Sequence, residues 1–167
     1  MKKPTRQVLR RYTNLAATIH MLRSRTITLL NPGTWDDRND AYFMAENKRR
    51  KGMKTLLALC FANCAETYHH WRVFSHGTDG VRIEFDKKRL MKALDDPRII
   101  SGDVRYRRID QLNDDASFAV DDLPFLKRQP FRDESEFRVV YANEKRVLDT
   151  KSYEFDLSTV RRITLSP

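Results

Sequence analysis

The run TLLALCFAN, Thr55–Asn63, constrains the fold of this chain more than any other stretch. Leu56 through Ala62 are apolar without a break. So short and continuous a run reads as a strand buried on both faces, since a strand with one wet face alternates. Other strands gather around it. GVRIEFD alternates, with Val81, Ile83 and Phe85 pointing inward and Arg82 and Glu84 outward. TITLLN is β-branched and apolar and stops at the turn signal NPGTW. QVLRRY, GDVRYRRI, EFRVVYAN, SYEFDL and VRRITLS read as further strands or short elements.

Short helices fall between them. Asn14 is suited to cap LAATIHMLRSR, whose Leu15, Ile19 and Leu22 share helical spacing. DRNDAYFMAENKRRKGM is predicted helical, capped by Asp37 or Asn39, basic at its C-terminal end and stopped at Gly52. ETYHHWRVFSHG reads as a short helix or helix-like loop, and Asp86 caps KKRLMKAL. The acidic stretch DQLNDDASFAVDDLPFLKR fits a helix or a mobile loop. Short strands mixed irregularly with short helices predict an α+β fold, with a mixed, mostly antiparallel sheet and helices packed around it. Residues 1–167 are expected to form one domain.

A chain of this length buries roughly 70% of the surface its unfolded form exposes, so it needs no staples. No apolar run approaches the roughly 18 residues of a membrane-spanning helix. The start MKKPTRQVLRRYTN lacks the apolar region of a signal peptide. Two cysteines make no disulfide framework, so a cytoplasmic setting with reduced thiols is expected. The net charge of +9 favours anionic partners, nucleic acid among them. Its basic clusters, KKPTRQVLRR, NKRRKGMK, RYRR and LKRQPFR, are interleaved with acids.

Several chemistries have no support. The chain carries no P-loop, no G-x-G-x-x-G and no G-x-S-x-G, and five glycines are few for a phosphate cradle. Cys60, Cys64, His70 and His76 do not match a zinc finger. Only five residues separate the second Cys from the first His, against about 12–15 in a finger. No metal is expected. Adjacent helical residues point about 100° apart, so at most one of His69 and His70 faces a site.

The stretch QPFRDESEFRVVY places Glu134, Glu136 and Arg138 at alternate positions. Two readings stand. One is a solvated strand edge, its glutamates paired with Arg138 for about 0–1 kcal/mol. The other is a pair of acids presented to a ligand from one strand face.

Three polar islands, RRYTNLAATIHMLRSRTITLLNPGTWDDRND, HHWRVFSHGTDGVRIEFD and QPFRDESEFRVVY, taken together in this order, resemble the bacterial domain-of-unknown-function family 2971. The first block is Arg11–Tyr12–Thr13–Asn14–Leu15, then Asn31–Pro32, then Trp35–Asp36–Asp37–Arg38–Asn39–Asp40. The second is Trp71 with Gly80–Val81–Arg82–Ile83–Glu84–Phe85–Asp86. The third is Lys127, Phe131, Glu134, Glu136 and Arg138, and VRRITLSP is similar to the family's last strand. TWDDRND lacks the proline of the family's block, and Phe131 stands where the family often has Trp.

The order of polar residues also resembles, at greater distance, the Arg-Ser-Glu class of ADP-ribosyltransferases. That resemblance implies Arg11 or Arg10 on the NAD phosphates, Ser75 supporting the nicotinamide half, and Glu136 beside the ribose with Glu134 as first acid. Tyr12 and Trp71 would border the NAD site. Cleavage of the nicotinamide–ribose bond develops oxocarbenium character, which a carboxylate stabilises. A second carboxylate takes a proton from the nucleophile, and arginine offers a forked donor set to a pyrophosphate.

Two function classes are therefore expected. One is an ADP-ribosyltransferase-like enzyme using NAD as co-substrate, in a toxin or phage-defence setting. The other is a non-enzymatic nucleic-acid-binding or interaction module with a basic surface. A metal nuclease on Asp36, Asp37, Asp40 and Glu46 is a third idea, set against the ordinary reading of those aspartates as helix caps. Trp35 and Trp71 ordinarily serve as core or rim anchors, and Arg10 and Arg11 as exposed strand residues.

Overall fold

The computed structural model describes residues 7–75, 78–112 and 118–166. In chain order the elements are strand β1 (Val8–Asn14), helix α1 (Leu15–Ser24), β2 (Thr26–Leu30), α2 (Arg38–Arg50) and β3 (Thr55–Ala62). Then come α3 (Tyr68–Phe74), β4 (Gly80–Asp86), α4 (Lys87–Ala93), β5 (Ile99–Asp103), β6 (Arg105–Arg107) and α5 (Ile109–Leu112). β7 (Leu126–Arg128), β8 (Glu136–Asn143), β9 (Thr150–Glu154) and β10 (Val160–Leu165) complete the order. The architecture is α+β and its strand pairing mostly antiparallel; β6 and β7 pair in parallel. Contacts divide the chain into two compact units, each assembled from separated segments.

The first unit takes Met1–Ile27, Phe61–Asp95 and Ser152–Pro167. β4 lies between β1 and β10, and β1 runs against it in unbroken register from Val8 opposite Asp86 to Asn14 opposite Gly80. On its other edge β1 meets Ala62, opposite Arg10. The alternation of β4 places Val81, Ile83 and Phe85 fully inside. Phe85 meets Phe61 and Phe155 edge-on at centroid distances of 5.9 and 6.2 Å. Arg82 departs from the expected outward pattern. It is buried because Glu66 and Thr164 close over its guanidinium.

Asn14 caps α1, its side chain accepting the Ala17 N–H at 2.8 Å. The predicted face is corrected, however: Leu15 and Ile19 are 43% and 47% exposed, while Thr18 and Met21 are buried. Thr18 tolerates that position because its hydroxyl donates to the Asn14 carbonyl at 2.8 Å. Asp86 caps α4 as expected, accepting the Arg89 N–H.

The second unit takes Thr28–Cys60 and Asp96–Lys151. Here β8 has β3 on one side and β5 on the other, in register from Ile99 opposite Tyr141 to Asp103 opposite Phe137. With both edges paired, β8 is an interior strand, and all its side chains but the half-buried Ala142 are buried. Asp37 caps α2 through the N–H groups of Asn39 and Asp40. The helix ends on Lys48, Arg49 and Arg50, which suit the negative end of its dipole. Gly52 then takes a left-handed φ of 63°, the conformation glycine adopts without a Cβ clash. Met44, Leu56, Ala58 and Val140 form an apolar core, with Trp35, Met53, Phe125 and Ala142 against it.

Candidate functional site

The second unit contains a buried ionic cluster. β8 contributes Glu136 and Arg138, β7 Lys127 and α2 Asp40. Glu134 ends the 3-10 turn Gln129–Glu134, and Ser135 follows in a left-handed conformation with φ 44°. Glu134 is therefore not on the strand, contrary to the period-two expectation. The two glutamates meet nonetheless, around Lys127 Nζ, at 2.6 Å from Glu134 and 3.4 Å from Glu136. Both are buried, which overturns the reading of a solvated edge.

Arg138 is fully buried, and each of its five N–H groups has an acceptor. Nε and Nη2 donate to the two oxygens of Glu136 at 2.8 Å, and Nη1 and Nη2 to the two oxygens of Asp40 at 2.9 Å. Nη1 also donates to the Pro124 carbonyl at 2.8 Å. The Trp35 ring centroid lies 4.8 Å from the guanidinium carbon, a cation–π contact. Lys127 lies 5.2 Å from the Phe131 ring centroid, and Asp40 completes its ion pairs at 3.4 Å. The Tyr106 hydroxyl accepts the Glu136 N–H at 2.9 Å. Asp40 was expected to cap α2. Asp37 takes that role, and Asp40 is a partner of Arg138 instead.

Burial alone would push Glu136 up, but Arg138 and then Lys127 outweigh it and hold the carboxyl at about 2. Burial raises Asp40 and Glu134 despite their cations. The cluster has three carboxylates and two cations, so one negative charge is in excess.

The signs give a pH expectation. The stabilisation from Glu136 is complete above its ordinary 4.5 and is lost as pH falls toward about 2. Asp40 and Glu134 act oppositely: their contribution is complete below their ordinary values and lost as pH rises through the raised ones. Melting temperature should hold or rise slightly on mild acidification and fall steeply only below about 4.5. In Glu134→Gln the mild-acid rise should shrink to the part that Asp40 contributes. A melting temperature that falls steadily from neutral pH downward would refute this assignment.

The remaining sequence-predicted residues lie in the first unit. Arg10 and Arg11 alternate on β1, and Arg10 donates to the Cys64 carbonyl at 2.6 Å and pairs with Glu84. Arg11 stands opposite Ile83 and is half-buried. Tyr12 and Trp71 come together as rings at 5.2 Å, edge to face. Trp71 Nε1 donates to Glu66 at 2.6 Å. Ser75 follows the last turn of α3, its hydroxyl donating to the Trp71 carbonyl at 2.7 Å. A Cβ on Gly80 would sit 2.6 Å from that hydroxyl oxygen, so Gly80 leaves room for Ser75. Thus Arg10, Arg11, Tyr12, Trp71 and Ser75 share one unit, and Glu134 and Glu136 belong to the other.

Of the nuclease residues, Asp40 is bound by Arg138, and Glu46 by Arg49 and Arg50. Among the described residues no group of three or more His, Cys, Asp or Glu side chains is placed to hold a metal ion; His76 lies outside the described residues.

Sequence reading missed a cleft of about 670 Å³ in the second unit. Lys51, Arg98, Lys145 and Arg146 line it, with Glu144 as the single acid among the described lining residues and Met53, Pro97, Ile100 and Ala142 as apolar wall. Buried Asn143 shapes one side. It donates to the Tyr141 hydroxyl and accepts the N–H groups of Lys145 and Arg146 at 2.8 and 2.9 Å. Lys51 pairs with Asp121 and Arg98 with Asp96. The basic clusters in the sequence were the available signal, but the meeting of residues 51, 98 and 145–146 was not readable from them.

Residues 70–139 match the family described as a protein of unknown function (DUF2971). The matched segment runs from α3 through the first residues of β8 and includes Lys127, Glu134, Glu136 and Arg138. No curated protein and no solved structure matches the chain. No helix among the described residues is long and apolar enough to cross a membrane.

Proposed function

We propose that this protein is an anion-binding module whose second-unit cleft takes the phosphodiester backbone of a nucleic acid. The observation that carries the reading is the cleft lined by four cations and one carboxylate. Among the described residues the Asn143 turn presents Lys145 and Arg146 with no carboxylate paired to either. Apolar wall residues between the cations suit a sugar or base edge, and the net charge of +9 draws polyanions from a distance. The ionic cluster serves this reading as scaffold, because every strong donor of Arg138 is already engaged.

Fluorescence anisotropy with labelled single- and double-stranded oligonucleotides at 50–200 mM salt tests it. Each phosphate contact contributes about 0.9 to the log–log salt slope on duplex and about 0.7 on single strands. Lys145→Ala with Arg146→Ala should weaken binding uniformly across sequences and flatten the slope by about two contacts. Absence of binding at low salt, or binding that ignores salt, would overturn the proposal.

The ADP-ribosyl-transfer reading rests on residue order and on the two glutamates meeting at Lys127. Its cost is that Glu136 would have to turn an oxygen away from Arg138. NAD consumption lost in Glu136→Gln at unchanged melting temperature would favour it over the anion-binding reading.

A further inference from the structure

One cluster in the first unit pairs a thiol with an imidazole. Cys64 Sγ lies 3.6 Å from His70 Nε2. The other ring nitrogen, Nδ1, lies 2.5 Å from Thr67 Oγ1. The local sequence produces this arrangement: β3 ends at Ala62, and Thr67 caps α3 by accepting the His70 N–H at 3.3 Å. One hydroxyl therefore sets both the helix start and the imidazole.

The ring has little freedom. His70 is fully buried, with Tyr12 stacked on it at 5.3 Å and Phe74 at 5.9 Å. The Cys64 carbonyl is held by Arg10. Cys64 itself is partly exposed, while its sulfur lies against the buried imidazole. A thiol, a base within reach of it and a third group orienting that base make the arrangement of an activated nucleophile.

We propose that Cys64 is a nucleophilic thiol, a site of covalent modification by carbon electrophiles. His70 is its proton acceptor and Thr67 the positioning residue. With Nδ1–H donating to Thr67 Oγ1, the Nε2 lone pair faces Sγ. The thiol proton passes to Nε2. The thiolate forms a sulfur–carbon bond as the bond from that carbon to its leaving group breaks, and the leaving group departs with the electron pair. The imidazolium then returns its proton to solvent. The nearby charges pair off: Arg82 with Glu66, and Arg10 with Glu84. Tyr12, its hydroxyl raised by burial, stays neutral. His69 stands beside the pair as well, its ring centroid 6.1 Å from that of His70.

Cys60 provides an internal control. It is partly exposed like Cys64, but desolvation of its thiol, and then Glu136, push it well above the ordinary value, so it should react slowly. The probe is iodoacetamide on the full chain, with alkylation of each cysteine followed by peptide mass spectrometry from pH 5 to 10. Cys64 should alkylate at pH 7 about tenfold faster than a free thiol of pKa about 8.5, and Cys60 far slower. Thr67→Val should lower the Cys64 rate at pH 7 and leave it unchanged at pH 10, where the thiol ionises unaided. A merely structural change would move both. His70→Gln should remove the neutral-pH advantage. If that variant does not fold, as its melting curve will show, Thr67→Val decides. A parent profile with one inflection near 8.5, or a Thr67→Val profile identical to the parent, would overturn the proposal.

Discussion

Arg138→Met is expected to cost about 3–5 kcal/mol of folding stability, the scale for breaking a buried ion pair from one side. The substitution keeps an unbranched side chain but removes every donor facing Asp40 and Glu136. Lys127 alone cannot neutralise them, since it already holds Glu134 at 2.6 Å. Urea denaturation with the native protein as reference measures the loss. Glu136→Gln should also be destabilising, because an amide NH2 would then face Arg138 Nε or Nη2 with donor against donor. A combined variant, Asp40→Leu, Glu136→Leu and Arg138→Met, should recover much of the loss, since replacing a whole buried ionic set is often neutral. If Arg138→Met melts like the parent, the cluster is not a structural keystone. Glu136 would then be available for chemistry.

The second large effect is in the first unit. Phe85→Ala should cost about 3–5 kcal/mol, as aromatic truncations in a closed core do. Phe85 has no exposure and packs edge-on between Phe61 and Phe155, so the gap has rigid walls. Phe85→Leu should cost distinctly less, because it leaves a smaller cavity. Equal melting temperatures for the two variants would show that the site collapses instead of staying open.

What was legible in the sequence was local. The caps Asn14, Asp37 and Asp86 depend on hydrogen bonds reaching only two or three residues, and all three form. The alternation of Val81, Ile83 and Phe85 needs only the pleat of one strand. The burial of β3 followed from a run with no polar side to turn outward. The third island, Lys127 to Arg138, was recognised as a unit, and its residues do meet.

What was not legible depends on partners far away in the chain. Asp40 looks like a first-turn acid of α2 until Arg138, 98 residues on, claims both its oxygens. Glu134 and Glu136 look like an exposed pair until Lys127 and Arg138 pack against them. Cys64 and His70 were weighed as metal ligands on spacing alone. Their relation is set by the Thr67 cap and the Tyr12 stack, which spacing does not report.

By itself the sequence determined most element types, three of the helix caps, the buried strand β3 and the α+β class, because periodicity and short hydrogen bonds act within a few residues; β7 instead formed, by pairing with β6, in a stretch that read as a helix or mobile loop. Only the tertiary structure decided which charges are buried, which cations share the cleft and which thiol faces a base. Whether a charged side chain is solvated or desolvated depends on what packs over it, and that covering comes from other segments of the chain.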